Sequence, residues 1–112
     1  MPYRTGSRRA AGKCLVAVLV WPLAVAAQTV EVAIQDYKYA PASLTIKVGT
    51  TVKWVNFEKR TTHSILFTGP GGYESERIFP GESWQRTFDK PGPYAYTCGP
   101  HPEMKGQVLV TE

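Results

Sequence analysis

Three residue types with metal-binding side chains lie close together near the end of the chain. Cys98, His101 and Met104 follow one another at intervals of three residues. Pro100 and Pro102 lie between them and lack an amide hydrogen, so helical stacking does not explain the spacing. The residue before each proline is driven towards extended backbone. We therefore expect a short, stiff loop that directs a thiolate, an imidazole and a thioether at one point.

A fourth ligand has to come from elsewhere, and His63 is the only other histidine. It follows the polar segment 58–62, near the start of a predicted strand, and a sandwich fold can bring that strand end beside the loop. Two His and one Cys in a plane, with a weak axial Met, are the ligands of blue copper. We predict that His63, Cys98, His101 and Met104 hold one type 1 copper ion that cycles between Cu(II) and Cu(I).

Other interpretations exist for these residues. Cys98 and Met104 are ordinary core residues in many proteins. Zinc is the main competing metal, because one Cys and two His can leave an open catalytic position. A thioether is a poor zinc ligand, however, and no acidic residue is obviously placed as a base, since Glu103 is expected to face solvent.

The first 27 residues resemble a secretory leader. Four basic residues precede an apolar run, 14–27, that ends in small residues, and cleavage is expected near Ala26 or Ala27. The run has 14 residues and contains Pro22, whereas a membrane span needs about 20. We expect export to the periplasm and no stable membrane insertion after cleavage. Arg8-Arg9 leaves the Sec and twin-arginine routes both open.

Removal of this leader changes the charge of the protein. The 112 residues carry 13 Lys and Arg against nine Asp and Glu, and the excess of four lies within the leader. The mature domain, 28–112, is formally neutral, and a nucleic-acid partner is not expected because it lacks a basic excess. Cys14 leaves with the leader, so Cys98 is a lone thiol in an exported domain, and metal binding would protect it from oxidation.

Apolar residues of the mature domain alternate with polar ones, as expected for half-buried strands. Seven strands are predicted, with Gly- and Pro-rich turns between them: 29–35, 43–48, 51–57, 63–67, 82–88, 93–97 and 106–111. The spacing favours an antiparallel sandwich. The fold class is therefore predicted to be all-β.

The whole mature domain resembles the cupredoxins, and among them the amicyanin group, with plastocyanin and pseudoazurin more distant. The resemblance is carried by the opening strands, 39–56, and by the short ligand loop, 98–104, with its two-residue gaps. It implies a Greek-key β-sandwich and the ligand roles given above. Ser64 and Gly99 depart from the usual pattern, which has Asn after the first histidine and a hydroxyl residue after the cysteine.

The resemblance also implies partners and a route for the electron. The edge of His101 would reach the surface, and Pro100 and Pro102 would surround it with an apolar docking face. Redox proteins are expected as partners, with an amine dehydrogenase as donor and a c-type cytochrome as acceptor. The mature protein is predicted to be a monomer.

Three other functions compete with electron transfer. An enzyme would need a second copper centre, and both histidines are consumed by the first. A copper carrier or chaperone would need an exchangeable site, usually with more Met or His than this chain has. A metal-free binding sandwich would use Cys98 and Met104 only as core.

Overall fold

The computed structural model describes residues 27–112, and almost all of the predicted leader, 1–27, lies outside them. The described part is all-β, as predicted, and contains no helix that could span a membrane. Its eight strands are β1 (Thr29–Gln35), β2 (Lys38–Ala40), β3 (Ser43–Lys47), β4 (Thr51–Asn56), β5 (Leu66–Phe67), β6 (Ser83–Thr87), β7 (Gly92–Thr97) and β8 (Lys105–Thr111).

Two four-stranded sheets face each other, with strand orders β2-β1-β4-β6 and β3-β8-β7-β5. The expectation of purely antiparallel pairing is wrong, because β1 pairs parallel with β4 and β3 pairs parallel with β8. The chain crosses between the sheets after each strand from β2 to β6, so strands that are not consecutive become neighbours. Each sheet of a sandwich has one covered and one open face, so its strands alternate even where two neighbours run parallel.

Six of the seven predicted strands begin and end within one residue of the observed bounds, and 29–35 coincides with β1. The predicted strand 63–67 is mostly wrong, since only Leu66–Phe67 is a strand and His63 instead forms an isolated bridge with Ile78. Strand β2 was not predicted. It has three residues, of which only Tyr39 is buried, so it is too short to show alternation.

The core lies between the sheets and is centred on Trp54, which is fully buried. Its indole Nε1 donates to the Tyr96 hydroxyl at 3.1 Å, which satisfies a polar atom that burial would otherwise leave unpaired. Trp84, Phe67 and Phe88 pack around it with ring centroids 5.7–6.5 Å away. These large rings give a small domain the apolar burial that its few strands need.

Candidate metal centre

Three of the four predicted ligands converge at one end of the sandwich. The donor atoms of His63, Cys98 and His101 all lie within 4.8 Å of one another. The Cys98 Sγ is 3.6 Å from the His63 Nδ1 and 3.7 Å from the His101 Nδ1. His63 and Cys98 have no exposed surface, whereas His101 is partly exposed. Both imidazoles therefore direct the same nitrogen towards one buried sulfur.

The loop that carries Cys98, His101 and Met104 is a compact turn between β7 and β8. The His101 N–H donates to the Cys98 carbonyl at 3.3 Å, and the Met104 N–H donates to the His101 carbonyl at 2.9 Å. The Cys98 N–H in turn donates to the Met104 carbonyl at 3.3 Å. Met104 is buried, with 2% of its surface exposed. The ends of the loop are thus tied together, and the predicted stiffness has backbone hydrogen bonds as well as prolines as its cause.

His63 is held by the segment that precedes β5. It exchanges two backbone hydrogen bonds with Ile78, of 3.2 and 2.7 Å. The buried Asn56 side chain donates to the carbonyls of Ile78 and Thr61, both at 2.9 Å, and accepts from the Glu58 N–H at 2.9 Å. One satisfied carboxamide therefore holds both flanks of His63 in place.

Glu58 lies behind the His63 ring. The Glu58 Oε2 is 3.4 Å from the buried His63 Nε2, and this nitrogen has no well-formed hydrogen bond. The same Glu58 oxygen accepts the Tyr37 N–H at 2.8 Å. Burial lowers the pKa of His63 from its usual value; the Glu58 carboxylate opposes this lowering and the neighbouring His101 adds to it. Burial thus favours the neutral imidazole, and the carboxylate beside Nε2 favours the tautomer that carries its proton there, which leaves Nδ1 as the ligand atom.

The family model for copper-binding proteins of the plastocyanin/azurin family matches residues 26–111. The chain belongs to this family. Amicyanin from Paracoccus versutus is 38% identical over 77% of this chain and 67% of its own length. The crystal structure of Paracoccus versutus amicyanin has a TM-score of 0.71 at 36% identity, and covers 78% of this chain and 85% of that chain.

A copper-containing nitrite reductase from Thermus scotoductus also matches, with a TM-score of 0.72 at 33% identity. The match covers 85% of this chain but 25% of that chain. The cupredoxin described here is thus similar to one domain-sized part of that longer nitrite reductase chain. Together with the amicyanin relatives, the family identifies the chain as a blue copper electron carrier that binds one copper ion.

The donor atoms of this cupredoxin fit a metal ion. Ligand atoms that share an ion in a plane, at bond lengths of about 2.0–2.3 Å and 120° apart, lie about 3.5–3.8 Å from each other. The two observed sulfur–nitrogen distances fall in this range. The donor set of one thiolate and two imidazoles also has the soft and borderline character that copper prefers.

Sequence reasoning missed Tyr37 and Glu58. The Tyr37 ring lies edge-on to both imidazoles, with centroids 5.5 Å from His63 and 4.9 Å from His101. Its hydroxyl is 3.2 Å from the Thr61 hydroxyl. Neither residue belongs to a recognisable motif, and Tyr37 is 46% exposed, so nothing in the local pattern singles them out.

Proposed function

We propose that His63, Cys98, His101 and Met104 hold the copper ion of this electron carrier, and that the exported domain passes single electrons between redox proteins in the periplasm. The observation that carries the assignment is the convergence of two Nδ1 atoms on a buried thiol at 3.6 and 3.7 Å. Copper bound there would supply the Cu(II)/Cu(I) couple. The buried Met104, in the same hydrogen-bonded turn, is proposed as the weak axial ligand.

The protein's own groups keep this site rigid and dry. Glu58 and Asn56 fix His63, and the turn from Cys98 to Met104 is closed by its own backbone hydrogen bonds. Full burial of His63 and Cys98 excludes water from most of the site. A site that does not rearrange between oxidation states loses little energy to reorganisation, which suits a carrier.

His101 is proposed as the point of electron entry and exit, because it is the partly exposed member of the cluster. Pro100 and Pro102 flank it and would form an apolar surface for brief contacts of small area. An amine dehydrogenase as donor and a c-type cytochrome as acceptor are proposed from the similarity to amicyanins. With both histidines in this site, catalysis by the chain alone is not proposed.

The periplasmic location rests on the leader-like segment 1–27 and on the position of β1, which begins at Thr29, immediately after it. The lone thiol of the described chain, Cys98, is buried, which protects it from oxidation in that compartment. Expression of the full chain in a Gram-negative host should yield a periplasmic protein whose mass corresponds to cleavage near Ala26 or Ala27.

One titration tests the ligand assignment. Addition of Cu(II) to the purified domain 28–112 should produce an intense blue absorption that disappears with ascorbate and returns with an oxidant. Cys98→Ser should abolish the colour, and Met104→Leu should retain it with an altered potential. Glu103→Gln, an exposed position of the same loop, is the matched control and should behave like the wild type.

The same sample separates a carrier from a chaperone. A carrier should retain its copper through repeated oxidation and reduction in the presence of a Cu(I) chelator, whereas a chaperone should lose it in the reduced state. Colour that survives Cys98→Ser would show that the site lies elsewhere.

A further inference from the structure

Ser64 joins the two segments that carry the proposed ligands. It follows His63 and is fully buried. Its hydroxyl accepts the Gly99 N–H at 2.9 Å, and its own N–H points to the Cys98 sulfur at 3.4 Å. A serine hydroxyl therefore connects the two segments.

A hydroxyl rotates freely unless its proton has an acceptor, and Glu74 supplies one. The Ser64 hydroxyl donates to the Glu74 Oε2 at 2.6 Å, the length of a charge-assisted hydrogen bond. Glu74 is held in reach by its bridge to Leu66 and by the neighbouring Ser75, whose hydroxyl accepts the Ile65 N–H at 2.9 Å. The carboxylate thus orients the Ser64 hydroxyl so that its lone pairs face Gly99.

Gly99 fits the same arrangement. A Cβ at this position would overlap the Glu74 Oε2 and would lie 3.0 Å from the Ser64 Oγ. The backbone at Gly99 is not in the left-handed region, so its conformation does not require glycine, and the Glu74 carboxylate fills the space beside it. A side chain at position 99 would therefore displace the Glu74 carboxylate from its contact with Ser64.

We propose that Glu74 is a positioning residue of the copper site, which ties the two ligand segments together through Ser64 and lowers the reduction potential. This proposal rests on the proposed function. A negative charge two hydrogen bonds from the ligand loop stabilises the more positive oxidised site relative to the reduced one. Arg77 lies 3.9 Å from the same oxygen. The Arg77 side chain is 52% exposed and that of Glu74 34%, so solvent screens both charges, and that of Arg77 more strongly.

Two measurements test this role with matched variants. Glu74→Gln removes the charge and should shift the redox equilibrium against a reference couple roughly tenfold towards the reduced form at low salt, and less at high salt. Glu76→Gln removes the same charge two residues further on, where the carboxylate is likewise exposed but does not accept the Ser64 hydroxyl, and should shift it much less. Equal shifts in the two variants would overturn the electrostatic role.

Amide hydrogen exchange on the copper-free protein tests whether Glu74 holds the two ligand segments together. Glu74→Ala and Ser64→Ala should each speed exchange at Gly99 about tenfold, while amides in β8 such as Val108 remain protected and report an intact fold. An unchanged exchange rate at Gly99 in Glu74→Ala would overturn the positioning role of Glu74. Because this arm needs no copper, it remains readable if the ligand assignment fails.

Discussion

At the scale of single residues, two buried tyrosines connect the core to the metal centre. The Tyr39 hydroxyl donates to the Ser64 carbonyl at 2.7 Å, and its ring packs edge-on against Tyr96 at 4.8 Å. Burial raises the pKa of Tyr39 strongly, and the nearby Cys98 adds to this effect. Burial also raises the pKa of Tyr96 to about 12, although the hydrogen bond from Trp54 lowers it slightly.

These shifts predict a loss of stability in alkali. Between about pH 10, where tyrosines of the unfolded chain ionise, and pH 12, the folded chain retains protons that the unfolded chain has lost. The free energy of unfolding should therefore fall as pH rises, by about 1.4 kcal/mol per pH unit for each tyrosine. Urea unfolding of the copper-free domain at a series of pH values measures this slope.

Tyr96→Phe is the matched variant. It should be less stable at neutral pH, because the Trp54 Nε1 loses its acceptor. Above pH 10, however, its free energy of unfolding should fall less steeply, by about 1.4 kcal/mol per pH unit, because one tyrosine fewer ionises. A slope equal to that of the wild type would contradict the assignment of the pH dependence to Tyr96.

At the scale of secondary-structure elements, the β1–β2 hairpin places a side chain over the metal centre. Its two turn residues, Asp36 and Tyr37, both have positive φ, of 55° and 58°, as a type I′ turn requires. A bulky residue in this conformation costs roughly 1–2 kcal/mol. The hydrogen bonds from Tyr37 to Glu58 and Thr61 offset that cost and hold the ring against the two histidines.

The Tyr37 ring in this turn should shield the His101 imidazole from reagents in solvent. Tyr37→Gly favours the same turn but removes the ring, so carbethoxylation of His101 in the copper-free protein should become severalfold faster. Tyr37→Phe retains the ring and should react at the wild-type rate. Mass spectrometry of the modified peptide measures both, and equal rates for all three proteins would show that the ring does not cover His101.

At the scale of the whole molecule, the proposed ligands gather at one end of a single sheet. His63 precedes β5, Cys98 follows β7 and Met104 precedes β8, and these three strands are neighbours in the sheet β3-β8-β7-β5. The other sheet contributes Tyr37 and Glu58 from its connections. The β-sandwich is thus a rigid frame, and the loops at one end carry the chemistry.

Copper should accordingly stabilise the folded chain. A ligand present at about 1,000 times its dissociation constant adds about 4 kcal/mol if it binds only the folded state. For a domain of this size that corresponds to an increase of roughly 15–30 °C in the melting temperature. Calorimetry with and without Cu(II) measures the shift, and Cys98→Ser should largely remove it. A melting temperature that copper leaves unchanged in the wild type would argue against a site inside the fold.

The sequence by itself determined the chemistry of the candidate site and the kind of fold. With one thiol after the leader and two histidines in total, the possible donors form a very small set, and the prolines between Cys98 and Met104 restrict the loop without help from distant residues. Alternation within β1, β3 and β4 is likewise local, because side chains of a strand point to opposite faces in turn.

Only the tertiary structure decided which residues surround those donors. Glu74 reaches Ser64 across ten residues, and Tyr37 reaches Glu58 across 21. The parallel pairing of β1 with β4 joins segments that are about as far apart in the chain. Such contacts depend on how the strands cross between sheets, and a charged side chain in a loop carries no local sign of its partner. The donors could therefore be read from the chain, while the groups that orient and tune them became visible only in the fold.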